Sequence, residues 1–205
     1  MSEAAGSDEL QVEIVEREAC FRGFYALDRL RLRHSLFRGG MGPEISRELF
    51  VRHDAVCVLP YDPQRDCVVA IEQFRVGALD KSARPWLLEP VAGLIDKGES
   101  PEAVAYREAQ EEAGVTLQAL WPVTSYYPSP GGSDERVYLF VGRCDSQGVG
   151  GLHGLAEEGE DIRVHVMAFD QALAAMQAGR FDNAASIIAL QWLALNREQL
   201  RQVWR

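Results

Sequence analysis

The chain has 205 residues, 47% of them hydrophobic, and a formal net charge of −10. That length fits one domain, or one domain with a small appendage, and the apolar content suffices for a sizeable core. The acidic balance argues against nucleic-acid binding, and neither the polar start MSEAAGSDELQVE nor any apolar run suggests a signal peptide or a membrane span, so a cytoplasmic protein with no membrane partner is expected.

Residues 1–9 read as a disordered tail. Residues 12–20 (VEIVEREAC) alternate between apolar and polar, and residues 24–33 (FYALDRLRLR) alternate again, with Arg22 and Gly23 between them. This pattern predicts a twisted antiparallel pair with little sequence to supply a core of its own. Gly39-Gly40 and Gly42-Pro43 make a break. Residues 10–50 are therefore expected as a small N-terminal β domain and 51–205 as the main domain. A β element that small is not independently stable, so packing against a second subunit, and hence a homodimer, is the structural expectation.

Residues 47–59 and 67–73 predict two strands joined by the turn YDPQRD at 61–66. Further strands are expected at 87–91, 117–126, 137–144 and 162–168, and amphipathic helices at 170–178 and 184–203. In the last helix Ile187, Leu190, Leu193 and Leu200 fall near helical spacing. The fold class is α/β, a mixed sheet between helices preceded by a small β element. Cys20, Cys57, Cys67 and Cys144 lie far apart without metal-ligand spacing. Cys57 and Cys67 could face each other across a hairpin, but reduced thiols are the expectation for a cytoplasmic chain.

The stretch between Gly93 and Val115 carries most of the chemistry. Gly93, Glu99, Arg107, Glu108, Glu111, Glu112 and Gly114 are spaced so that a glycine loop runs into a helix with a dense carboxylate cluster. At residue frequencies near one in fifteen, such a set would coincide by chance about once in 10⁸ placements. Ser100 is a good N-cap, Pro101 suits the first helical position, Glu102 sits where the helix dipole favours an anion, and Gly114 supplies a left-handed stop. The helix is expected from Pro101 to Ala113, with a short stripe of small residues suited to close packing on a sheet. Glu108, Glu111 and Glu112 project from neighbouring positions of one face, where like charges repel. Hard divalent cations resolve that conflict, and Mg²⁺ held by a few carboxylates while touching substrate phosphates is the usual arrangement. An isolated E-x-x-E-E would read better as a solvated acidic face paired with Arg107; the glycine-bounded pattern reverses that preference.

Three further segments stand out. Ser129-Pro130-Gly131-Gly132 makes a tight turn that exposes backbone amides, or is simply a hairpin loop. Residues 151–161 (GLHGLAEEGED) form a long glycine-rich loop with clustered charge, either a solvent segment or an active-site lid. Arg75 ends a strand that should pass near the carboxylate helix, where it could clamp a phosphate or cap a carboxylate.

The glycine-bounded stretch resembles the Nudix box and matches each of its fixed positions, with Ala109 smaller than the usual apolar residue at its place. Around it, WLLEPVAG, SPGGSDER, GLHGLAEEGEDIRVHV and DNAASIIALQWL resemble the ADP-ribose pyrophosphatase branch of the Nudix hydrolases. Pro130 stands where that branch is similar in carrying a proline. The resemblance implies an α/β/α sandwich whose N-terminal β domain is exchanged across a homodimer. It implies that the Ala92 carbonyl, Glu108 and Glu112 hold two or three Mg²⁺ ions, with Mn²⁺ as a substitute, that Glu160 completes the set, and that Glu158 is the general base. Glu111 would support the cluster, and Arg107 with Glu99 would fix the loop–helix geometry beside Gly93 and Gly114. Arg75 would contact the diphosphate, with Leu94, Ser129 and Gly131 nearby and Glu135 towards the terminal ribose. Phe24 and Tyr25 would cover the adenine from the partner subunit, with Arg47, Glu48 and Arg52 lining that side. The implied reaction is hydrolysis of ADP-ribose to AMP and ribose 5-phosphate. The alternatives are hydrolysis of another nucleotide sugar, such as GDP-mannose, and a non-catalytic ADP-ribose sensor. Such sensors typically lose box glutamates, whereas all three are present here.

Overall fold

A computed structural model describes residues 10–204, apart from the side chain of Glu158. The tail expected at residues 1–9 lies outside the described residues. The chain gathers into two units, residues 10–52 with 129–135, and residues 53–128 with 136–204.

The first unit is a three-stranded antiparallel sheet of β1 (Val12–Arg22), β2 (Ala26–His34) and β3 (Ile45–Val51), in that order. β1 is exposed along its whole length, including Val12, Ile14 and Phe21. Asp28 is buried in β2, where it accepts from Arg17 at 2.6 Å and pairs with Arg22 at 2.5 Å. Residues 129–135 are tied to β3, since Phe50 donates to the Gly132 carbonyl at 2.8 Å and the Arg52 amide donates to Asp134 at 2.8 Å.

The second unit is built on a mixed sheet. Its members are β4 (Ala55–Asp62), β5 (Cys67–Phe74), β6 (Trp86–Glu89), β7 (Val91–Leu94), β8 (Ala119–Tyr126), β9 (Val137–Arg143), β10 (Gly151–His153) and β11 (Ile162–Ala168). The main order is β10-β11-β5-β4-β9-β8, and only β4 and β9 run parallel. Alternation along β4 and β5 feeds two cores. Val56, Val58, Val69 and Ile71 pack on one face with Val104, Ala105, Ala109 and Ala113 of α1 (Pro101–Ala113). Cys57, Leu59, Tyr61, Val68 and Ala70 pack on the other with residues of α2 (Phe169–Gln177) and α3 (Ala184–Val203). Each face hides an apolar layer under helices, which gives the α/β/α arrangement expected from the sequence.

Two expected strands divide. The run 47–59 becomes β3 and β4, which belong to different sheets. At the break, Asp54 takes the Arg136 amide on its side chain at 3.0 Å and the Ile95 amide on its carbonyl at 2.9 Å, so its polar groups are satisfied outside a continuous strand. The run 87–91 divides at Pro90, which has no N–H for a ladder. β6 pairs with β5 and β7 with β4, so the sheet forks there. The loop expected at 151–161 also contains structure: Gly151–His153 pairs with β11, and only the residues beyond form a tip. All four cysteines are free thiols. Among the described residues no helix is long and apolar enough to cross a membrane.

Candidate active site

The carboxylate helix forms where the sequence signals place it. Ser100 Oγ accepts from the Ala103 amide at 3.2 Å, Pro101 opens the helix, and Gly114 closes it at φ 63° while its amide donates to the Gln110 carbonyl at 3.0 Å. Ala109 is fully buried, so the small residue permits α1 to approach the strands closely.

The fork of the sheet sets the floor of the site. From β7, the Ala92 amide donates to Glu112 Oε2 at 2.9 Å, and Glu112 is only 2% exposed. From β6, Glu89 accepts from Arg75 Nε at 2.6 Å. Gly93 lies against the Glu108 side chain so closely that a Cβ there would overlap the carboxylate. Glu108 also accepts from Arg107 at 2.8 Å, and the same guanidinium reaches Glu111 at 3.0 Å and Glu99 at 3.3 Å. Arg107 thus ties the loop residue Glu99 to the helix. Glu160 sits in the tip beyond β10, where it accepts from the Leu155 amide at 3.1 Å.

Burial dominates the electrostatics. It pushes the Glu108 carboxyl up to about 7, with Arg107 pulling the other way and Glu111 and Glu160 adding to the rise. It pushes Glu112 up to about 8, against the Ala92 hydrogen bond and with help from Glu108 and Glu160. One buried and one partly buried carboxylate that resist ionising beside each other call for a cation. The donors are oxygens throughout, which suits a hard divalent ion. Among the described residues no three acidic, His or Cys side chains already converge on one point. Glu160 is near enough to affect both glutamates but is turned to its own loop, so the fit rests on Glu108 and Glu112. The side chain of Glu158, the expected base, lies outside the described residues.

Within the first unit, Tyr25, Arg52 and Glu135 come together. The Arg52 guanidinium lies 4.7 Å from the Tyr25 ring centre and pairs with Glu135 at 3.0 Å. Phe24 meets Tyr25 edge-on at 4.7 Å between ring centres and is 77% exposed. Arg47 and Glu48 are exposed on β3, and Arg47 donates to the Ser46 carbonyl. Ser129 and Gly131 stand in an exposed turn closed by the Gly132 and Ser133 amides on the Ser129 carbonyl. In the second unit Leu94 ends β7, opposite Ala55. Sequence reasoning does not pick out Glu89, which fixes Arg75. Its only signal is a carboxylate in the strand that leads into Gly93.

Comparison with known proteins agrees with this geometry. A family model described as NUDIX domain matches residues 51–190. ADP-ribose pyrophosphatase of Escherichia coli strain K12 is 53% identical over 193 residues, 94% of this chain and 92% of that one. ADP-ribose pyrophosphatase of Haemophilus influenzae is 44% identical over 208 residues, 100% of this chain and 96% of that one. A solved crystal structure of an ADP compounds hydrolase matches with a TM-score of 0.70 at 21% identity, covering 96% of this chain and 98% of the other, a likeness of fold alone. With the family model spanning most of the chain and relatives matching nearly all of it, this protein belongs to the NUDIX family.

Proposed function

We propose that this protein hydrolyses ADP-ribose to AMP and ribose 5-phosphate with Mg²⁺, Mn²⁺ serving as a substitute. The observation that carries the reading is the pair Glu108, partly buried, and Glu112, buried, whose proton affinities stay raised despite Arg107 and Arg75, marking carboxylates whose charge is not fully compensated. The substrate rests on the relatives named ADP-ribose pyrophosphatase, matched nearly from end to end.

Glu108, Glu112 and the Ala92 carbonyl hold two or three ions, and Glu160 joins them by turning from the Leu155 amide. Held there, such ions would supply neutralising charge at the diphosphate and polarise a water and the leaving phosphate. Glu111 supports the cluster, and Arg107 with Glu99 keeps α1 in register with its loop. Arg75, aimed by Glu89, meets the diphosphate beside Leu94. Water attacks one phosphorus, the P–O–P bridge breaks, and Glu158 takes the water's proton. Ser129 and Gly131 would lie near the diphosphate and Glu135 towards the terminal ribose, while Phe24 and Tyr25 of the partner copy would cover the adenine, with Arg47, Glu48 and Arg52 lining that side. The N-terminal β domain at residues 10–50 is exchanged across a homodimer, which would cover the exposed apolar side chains of β1. The setting we infer is the cytoplasm.

Purified protein with Mg²⁺ and a panel of nucleotide sugars tests this reading. AMP release from ADP-ribose in preference to all others is expected. Preferred release of GMP from GDP-mannose would make this another nucleotide-sugar hydrolase, and tight ADP-ribose binding without turnover would make it a sensor.

A further inference from the structure

Gln73 stands in β5 with 8% of its surface exposed, and its Oε1 is a buried acceptor with no hydrogen-bond partner among the described residues. A buried amide oxygen left unmatched is unfavourable, so such an atom calls for a reason. Its neighbours show which way it faces. Side chains alternate along a strand. Ile71, one alternation earlier, packs in the core beneath α1. Arg75, one alternation later, is bonded to Glu89 and lies within the field of Glu112. Gln73 therefore lies on the α1 face of the sheet, between the apolar core and the carboxylates. On the neighbouring strand it is opposite Leu87, while Glu89 is opposite Ile71.

In the ionised form that a cation requires, the carboxylates around this face accept and cannot donate. Arg75 Nε is already given to Glu89. No donor among the described residues reaches Gln73 Oε1, which leaves this acceptor open to one from outside the chain. We propose that Gln73 is a positioning residue for the candidate cation site, its Oε1 accepting a hydrogen bond from a water in the hydration shell of the divalent ion held by Glu108 and Glu112. Mg²⁺ dehydrates reluctantly and keeps several waters, whose polarised O–H groups are strong donors. Partners outside the ligand set that hold such groups contribute to affinity. The inference rests on the cation-site reading given above.

Calorimetric titration of Mg²⁺ into the full-length protein without substrate tests it. Gln73→Met removes the acceptor at similar length. Its Kd for Mg²⁺ is expected to rise about 10–100-fold, while the melting temperature without cation stays level or rises because the unmatched oxygen is gone. Gln73→Glu keeps an acceptor in the same place and should bind Mg²⁺ at least as tightly as the parent. An affinity in Gln73→Met within about twofold of the parent overturns the proposal, and so does an equal loss in Gln73→Glu. Loss of ADP-ribose binding measured without cation, with Mg²⁺ affinity intact, would assign the oxygen to a sugar hydroxyl and overturn it as well. Glu112→Gln serves as the control. If that variant also binds Mg²⁺ normally, the cation site itself fails; if it loses Mg²⁺ and Gln73→Met does not, only the role of Gln73 fails.

Discussion

The carboxylate of Glu108 occupies the space that a side chain on Gly93 would need. The glycine is thus required by the position of an acid, not by an unusual backbone angle. Gly93→Ala should swing Glu108 out of place. Because a side chain yields and the backbone does not, the expected loss of stability is about 1 kcal/mol, or about 2–4 °C in Tm for a chain of this size. Mg²⁺ affinity should fall about 10–100-fold. Titration calorimetry with a melting curve checks both, and a variant that melts early yet binds Mg²⁺ normally would contradict the account.

Glu112 and Glu102 sit on one helix in opposite settings. Glu112 is buried against Ala92, whereas Glu102 is exposed in the first turn. Glu112→Gln should weaken Mg²⁺ binding by about 10–100-fold or more and lower turnover in step. Glu102→Gln should change stability by no more than about 0.5 kcal/mol and leave the Mg²⁺ dependence of turnover unchanged. Equal effects in a Mg²⁺ titration of activity would remove the distinction between the two helix faces.

The raised proton affinities predict a pH dependence with a definite sign. An ordinary glutamate titrates at 4.5, whereas burial lifts Glu108 to about 7 and Glu112 to about 8. Between those values the folded protein holds protons that the unfolded chain has released, so this contribution to stability is present at low pH and lost as pH rises. Without cations, Tm should fall between about pH 5 and pH 8, and Glu112→Gln should flatten that slope. Divalent ions need the ionised carboxylates, so the rise in Tm on adding Mg²⁺ should be larger at pH 8 than at pH 6 (both about). Melting curves with and without Mg²⁺ decide it; a parent slope no steeper than that of the variant would count against it.

Replacing the proposed base separates chemistry from binding. Glu158→Gln should lower kcat by about 10²–10⁴ with little change in ADP-ribose affinity. Single-turnover rates beside equilibrium binding make the measurement. Near-normal turnover would rule Glu158 out.

The carboxylate helix was legible because its signals are local. Ser100, Pro101 and Gly114 mark the ends by backbone chemistry alone; of the small-residue stripe expected at Ala103, Val104, Ala109 and Ala113, all but Ala103 are buried, and Ala105 is buried beside them. The strand at 67–73 was legible as an apolar run after a turn, but that its adjacent residues feed opposite cores shows only once helices cover both faces. The division of 47–59 was not, because the polar groups that satisfy Asp54 come from Arg136 and Ile95, far along the chain. The fork at Pro90 depends likewise on which strands β6 and β7 choose as partners. Gln73 looks in sequence like one polar residue near the end of an apolar strand. Its burial and its unmatched oxygen emerge only when β6 and β11 close around β5.

The pairing of His153 with Ile162 bears on the segment that carries Glu158 and Glu160. The residues between them are held at both ends by a strand ladder, so they form the end of a hairpin with fixed roots. A tether of eight residues, 154 to 161, can carry its apex no farther than about half its contour, or ~14 Å, from those roots. On the proposed function, any motion that brings these two acids to the diphosphate is confined within that radius. Lengthening the tip would widen that radius and shortening it would narrow it, in proportion to the residues added or removed.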